Sequence, residues 1–329
     1  MIETNKKLLE TNESLVGELD KHKKFMKSLA RKFNAYKAET DGVIDSYHSQ
    51  LETLFLYHEF KPRGLLKQNH ILTQELLDFV VNVCKKHNLE YWLDFGLLLG
   101  AMRHDGFIPW DDDGDIGMIR KDYDVFIDVI EDEIKECGLQ DDIVISINVN
   151  KYKLLPMLQL LYNGGMDGTG VILGGLDIFP YDFIGNTDNC DANSYREVQK
   201  LVYNSNKEGT PIKEALNIYY ENFDIKFEKA DHIIAGVEGP FAAFRGYDFN
   251  IWNNDEIFPL KPHRFENKYY TCPNNSDSHL NRVYGEYHQI PKLIHHHHRR
   301  FEKLLKIGDA SKIFNEHISK LKAANKSFK

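Results

Sequence analysis

Residues 103–115 read Arg-His-Asp-Gly-Phe-Ile-Pro-Trp-Asp-Asp-Asp-Gly-Asp and place four carboxylates, Asp111, Asp112, Asp113 and Asp115, within five positions. Carboxylates this close repel one another and resist burial, so such a run is tolerable where water solvates it or cations neutralise it. The continuation, Asp115-Ile-Gly-Met-Ile119, passes into an apolar segment and reads as a strand. Side chains two apart on a strand share a face at roughly 6 to 7 Å. Asp113 and Asp115 are therefore expected to project together and to hold one or two hard cations. Magnesium or manganese is favoured, because no cysteine or histidine stands alongside in zinc-type spacing. The same run also fits an acidic surface turn with an N-cap for a helix near Lys121.

The flanking residues favour the metal reading. Upstream, Leu89 to Phe95 reads as a short strand leading into Gly96-Leu-Leu-Leu-Gly-Ala-Met-Arg103, a tight turn opening a helix. Glycine at such a junction lets backbone N–H groups approach a phosphate at the positive helix end. Downstream, Gly174-Gly-Leu-Asp-Ile-Phe-Pro180 carries an isolated aspartate, Asp177, inside a strand-like apolar run. A lone charge there calls for a partner.

A strand, a glycine turn, a helix, then Asp-x-Asp on the next strand and another Asp on a later one resembles the polymerase-beta type of nucleotidyltransferase. The segment from Phe95-Gly-Leu-Leu-Leu-Gly-Ala-Met-Arg103 to Ile108-Pro-Trp-Asp-Asp-Asp-Gly-Asp-Ile116 resembles the LicD family more closely, which is related to the fukutin-type ribitol-phosphate transferases. Further matches are Asp177-Ile-Phe-Pro-Tyr-Asp182, Phe258-Pro-Leu260 with Phe265, and Leu280 followed by Tyr284-Gly-Glu-Tyr287 and Pro291. The chain departs from the family pattern twice. Leu97 stands where a threonine is usual, and Gly114 where an isoleucine or valine separates the paired aspartates.

The resemblance implies an α/β (α+β) fold, a nucleotidyltransferase-like mixed sheet flanked by helices. It also implies transfer of a phospho-alcohol, such as phosphocholine or a polyol phosphate, from a CDP-activated donor to a sugar hydroxyl of a glycan or lipid-linked glycan, with release of CMP. In that mechanism Asp113, Asp115 and Asp177 hold Mg2+ or Mn2+, with Asp177 alternatively taking the proton of the attacking hydroxyl. Arg103 neutralises phosphate oxygens, and the amides after Gly96, with Leu97 at the threonine position, cradle them. Asp111, Asp112 and Asp182 are second-line candidates that also fit turn or capping roles. Tyr284 and Tyr287 read as a stacking platform for a cytosine or sugar ring, or as core. Trp110 lines the pocket mouth or anchors a turn.

The chain has 329 residues, 42% of them hydrophobic, enough for one substantial core and an appendage. A net charge of −9 argues against a nucleic-acid partner, which needs a broad basic footprint. Four scattered cysteines without a Cys-x-x-Cys motif read as reduced thiols of a cytoplasmic chain, and the charged start lacks a signal-peptide core. The catalytic domain is expected over 65–291, with a helical subdomain over 192–238. Tyr152 and Lys153 precede a strand ending at Tyr162, and Gly164–Gly170 reads as a flexible loop without a Walker-type lysine.

Residues 1–58 form a separate object. Heptad a and d positions run from Asn5 and Leu8 through Asn12, Leu15 and Leu19 to Leu54, unbroken by proline. Successive asparagines at a positions favour a parallel dimer, whereas Phe33, Tyr36 and Tyr47 suit a two-stranded seam poorly. A homo-oligomer through this helix is expected, with a single helix folded back on the catalytic domain as the alternative. The tail, residues 292–329, carries ten Lys or Arg against three acidic residues. With Phe314, Ile318 and Leu321 on its apolar face, and the basic cluster Lys21 to Lys32, it suits either a peripheral contact at the inner membrane face or a helix packed on the domain. His295 to His298 are internal. Two other functions fit the same residues: a nucleotidyltransferase releasing pyrophosphate, and a non-enzymatic coiled-coil adaptor with a degenerate catalytic domain.

Overall fold

The computed structural model describes residues 2–58, 60–148, 157–165, 171–238, 249–289, 304 and 309–328. Tyr152, Lys153, most of the Gly164–Gly170 turn, Pro291 and His295 to His298 lie outside them. The described residues up to Phe60, together with Gln289, form one compact unit, and the other described residues from Lys61 onward belong to a second.

The first unit is helix α1, Ile2–Tyr57. At 1.5 Å per residue it is about 84 Å long. Its heptad seam is exposed in this chain: Leu8 is 64% exposed, Leu15 57%, Leu29 49% and Val43 50%.

In the second unit, α2 (Gly64–His87) leads through the two-residue strand β1 (Trp92–Leu93) to α3 (Phe95–His104), β2 (Gly114–Ile119) and α4 (Arg120–Glu136). Three strands follow, β3 (Ile143–Asn148), β4 (Met157–Tyr162) and the long β5 (Gly174–Ile184). The sheet order is β1-β2-β5-β4-β3, with β2 parallel to β5 and the other three pairs antiparallel, so the sheet is mixed as expected. The expected Leu89–Phe95 strand is shorter in the structure, because Asp94 already caps α3.

Alternation along β2 and β5 gives the sheet two different faces. Ile116, Met118, Leu176, Ile178, Leu158 and Leu160 join Leu72, Leu76, Phe79 and Val80 of α2 in the main core. The opposite face carries Asp115 and Asp177 at one end, and further along packs Trp92, Phe95, Ile119, Phe179 and Tyr181 into a second cluster.

The region 192–238 is helical only in part. α5 (Ala192–Lys207) and α6 (Ile212–Asn222) bury an aromatic cluster around Tyr195 and Tyr219, but β6 (Ile225–Lys226) and β7 (His232–Ala235) then return to pair with β5. The run His232-Ile-Ile-Ala235 is too short for a helix and finds its stability in the open edge of β5. After β8 (Ile251–Asn253) and α7 (Asn254–Ile257), a hairpin of β9 (Lys261–Phe265) and β10 (Lys268–Cys272) precedes α8 (Ser276–Tyr284).

The tail ends in α9, Ala310–Ser327, packed on α2. Phe314 and Leu321 are fully buried, Ile318 nearly so, and Asn325 donates to the Glu75 carbonyl at 2.9 Å. The apolar face of the tail helix is therefore core of this domain and offers no surface to a membrane.

Candidate active site

The site is assembled by strand register. On the parallel pair β2/β5, Asp115 lies opposite Asp177, and on β5/β4 Asp177 lies opposite Gln159. The Gln159 side-chain amide donates to Asp177 Oδ1 at 2.8 Å. Asp113 precedes β2 by one residue, and Asp111, Asp112 and Asp113 offer ligand atoms that all lie within 4.8 Å of one another. Burial, then the charges of Asp113, Asp177 and Asp111, push the Asp115 carboxyl well above the ordinary carboxylate range. Asp111 is pushed up likewise by burial and by Asp113 and Asp112. Five carboxylates thus share one electrostatic environment, and the second-line candidates Asp111 and Asp112 stand among them.

The α3 N-terminus fits closely against this cluster. Gly96 N–H donates to Asp115 Oδ2 at 3.1 Å, so this amide orients a carboxylate instead of cradling a phosphate. A β-carbon at Gly96 would lie 2.7 Å from Asp111 Oδ2 and 3.2 Å from Asp115 Oδ2. Glycine is required for that approach. The preceding Phe95 is held at φ 35°, a left-handed conformation that bulky residues rarely adopt and that tends to be kept at functional sites.

The anchor of this junction is Asp94, which the sequence reading left unassigned. Its buried carboxylate accepts from Phe95 N–H at 2.9 Å, from the Tyr181 hydroxyl at 2.5 Å and from His279 Nε2 at 2.9 Å. Its amide donates to the Asp115 carbonyl at 3.0 Å. An N-cap aspartate was legible from Asp94-Phe-Gly; its partners 87 and 185 residues away were not. His70 of α2, also unforeseen, lies 2.7 Å from the Asp111 carbonyl through Nε2.

Several expected site residues stand elsewhere. Leu97 is 1% exposed and belongs to the main core, so its side chain presents nothing to a phosphate. A β-carbon on Gly114 would lie 2.8 Å from Leu176 Cδ2 and 3.1 Å from Leu97 Cδ1. The two departures from the family pattern are thus neighbours: the larger side chain at 97 occupies space that a side chain at 114 would need. Tyr287 is also buried, past the end of α8, with its hydroxyl donating to Asp277 at 2.8 Å, so it is no stacking platform. Tyr284 is 37% exposed.

Asp182 is not part of the site. It pairs twice with buried Arg120 at 2.9 Å, and Arg120 also binds Glu238. Asp112 is buried within the acidic run, its amide 3.2 Å from Asp111 Oδ1. Arg103 donates to the Tyr287 carbonyl at 2.8 Å; burial lowers it to about 10, against the opposing pull of Tyr284 and Asp111. Trp110 is half-buried against the main core.

Residues 88–155 match the family described as LicD/FKTN/FKRP, nucleotidyltransferase domain. The matched segment is similar to a LicD-type domain. Over 252 residues, 69% of this chain and 92% of the relative, the sequence is 26% identical to the lipopolysaccharide cholinephosphotransferase LicD of Haemophilus influenzae. A 49-residue stretch, 15% of this chain and 10% of the relative, is 45% identical to the ribitol 5-phosphate transferase FKRP of Mus musculus. An uncharacterized protein of Rickettsia typhi is 36% identical over 104 residues, 31% of this chain and 28% of its own length. The characterised relatives are thus named as phosphotransferases. The matched LicD segment holds Asp94, Gly96, Arg103 and the acidic run; Asp177 and Gln159, which complete the polar row, lie beyond it.

Among the described residues, no helix is long and apolar enough to cross a membrane.

Proposed function

We propose that this chain transfers a phospho-alcohol, phosphocholine, a polyol phosphate or a similar group, from a CDP-activated donor to a sugar hydroxyl of a cell-surface glycan or its precursor, releasing CMP. The observation that carries this reading is the register of Asp115 against Asp177 beside the Asp111–Asp113 cluster. An all-oxygen donor set, with carboxyls raised by burial and then by mutual repulsion, fits a hard divalent cation, Mg2+ or Mn2+. Asp113, Asp115 and Asp177 would hold it, with Asp111 and Asp112 within reach of the same space. When bound, such a cation neutralises charge on the diphosphate and on the departing CMP.

The chain's own residues supply the remaining requirements. Gly96 N–H fixes Asp115, and Arg103 places positive charge beside Asp111 and Tyr284, where donor phosphates would meet the acidic run. The acceptor hydroxyl oxygen bonds to the phosphorus bearing the alcohol, the bond from that phosphorus to the bridging oxygen breaks, and the electron pair leaves on CMP. In the alternative to its ligand role, Asp177 is the group to receive the hydroxyl proton. Exposed Tyr284 is suited to stacking on a donor or acceptor ring.

The seam of α1, exposed at Leu8, Leu15, Leu29 and Val43, would join copies of the chain, because a long isolated helix is marginal in water without a packed apolar face. Contact with an anionic membrane would use basic residues such as Lys21, Lys24 and Arg31, since the apolar face of α9 is buried. This reading locates the chain in the cytoplasm, at the inner membrane face.

The deciding experiment incubates the protein with CDP-activated alcohols or nucleoside triphosphates and a glycan acceptor, with and without Mg2+, and separates the products. CMP release that needs Mg2+ and is lost in Asp113→Asn and Asp115→Asn is expected. Pyrophosphate release from a triphosphate would establish the nucleotidyltransferase alternative. Absence of Mg2+-dependent nucleotide binding would leave the adaptor.

A further inference from the structure

Gln159 interrupts an apolar strand, Met-Leu-Gln-Leu-Leu-Tyr over 157–162, and that position faces the carboxylate row. Its neighbours Leu158 and Leu160 are fully buried in the main core on the other face, so alternation directs Gln159 to the acidic side. On β5, Asp177 therefore stands between two different neighbours: Asp115 on the β2 side, and the Gln159 amide on the β4 side. The bond of 2.8 Å from Gln159 Nε2 to Asp177 Oδ1 has only one sensible orientation, since the amide oxygen would repel a carboxylate.

The terminal torsion of a carboxylate side chain is broad. The Gln159 donor engages one oxygen and restrains that torsion. It does so without adding charge to a site already crowded with negative charge, as a Glu would, and without neutralising the site, as a Lys would.

We infer that Gln159 is a positioning residue for the proposed transfer: it orients Asp177 toward the shared carboxylate space, and acts only through Asp177. The inference rests on the function proposed above, and its test separates the two. Gln159→Met keeps the volume and removes the donor. It should leave the melting midpoint unshifted and the donor KM within about twofold of the parent, lower kcat tenfold or more, and weaken Mn2+ binding, followed by its paramagnetic resonance signal, threefold or more. Gln159→His, which can return a ring N–H to the same place, should recover part of the loss. In an Asp177→Asn background, Gln159→Met should change neither quantity further.

Parent-like kcat and Mn2+ affinity in Gln159→Met, or full additivity with Asp177→Asn, overturns the inference. If Gln159→Met fails to fold, Gln159→Ala is read in the same way. A parent protein that binds no Mn2+ and releases no CMP overturns the proposed function instead. The Gln159 side-chain amide resonance then decides the contact in metal-free protein: a shift on Asp177→Asn upholds the orientation of Asp177, and no shift overturns it.

Discussion

Replacing Gly114 by alanine drives a methyl group into space filled from two sides, with Leu176 Cδ2 at 2.8 Å and Leu97 Cδ1 at 3.1 Å. Both neighbours are buried in the main core, at 0% and 1% exposure, and have little room to retreat. Overpacking of this kind costs about 1–3 kcal/mol, offset by roughly 0.4–1 kcal/mol from the lost freedom of glycine in the unfolded chain. Leu97→Thr errs the other way: it removes buried carbon, opens a cavity and brings a hydroxyl into the core, at a cost of about 2–4 kcal/mol. The double variant retains the Leu176 contact but loses the Leu97 one. Its destabilisation should therefore fall short of the sum by about 1 kcal/mol, within the usual range for touching residues. Urea unfolding of the parent, both single variants and the double variant measures this directly, provided the slope m is common to all four. Additivity within about 0.5 kcal/mol would show that the two positions are independent and that their joint departure from the LicD pattern is coincidence.

Gly96→Ala should leave stability near that of the parent, since the obstructing atoms are the mobile ends of Asp111 and Asp115 side chains, yet lower turnover about a hundredfold by displacing them, read by CMP release and thermal melting together. Leu97→Thr should not tighten donor binding, because position 97 is buried; a lower donor Kd by calorimetry would contradict that placement. Arg120→Met should destabilise by about 3–5 kcal/mol in urea, leaving Asp182 and Glu238 buried without their cation, with no selective effect on the donor KM. His104 is held down to about 4 by burial and the Arg103 charge. The unfolded chain therefore binds a proton in the window from its ordinary ~6.5 down to that value while the fold does not, and stability should fall as pH drops across the window. Partial exposure of the ring limits the loss to about 1–2 kcal/mol, and His104→Gln should flatten the pH dependence of the melting midpoint.

The sequence by itself determined the local elements of the site. Four aspartates in five positions must be solvated or neutralised wherever they fold, and Gly96 after a short apolar run marks a strand-to-helix turn. The heptad period over residues 5–54 announced a long helix, because periodicity is carried by neighbours along the chain. Register was decided only by the tertiary structure. Nothing near Asp177 reveals that it will lie opposite Asp115 on one side and Gln159 on the other, since strand pairing is a contact between distant segments. Burial sorted residues that look alike in sequence. Asp182 went to Arg120 while Asp177 faced the site; Tyr287 and Leu97 became core while Tyr284 stayed exposed. The apolar stripe of the tail fitted a membrane surface or a protein core equally well as a pattern. The fully buried side chains Leu72 and Leu76 of α2, and Phe314 and Leu321 of α9, gave it the core, because removal of apolar surface from water is nondirectional and goes to whichever partner the fold brings near.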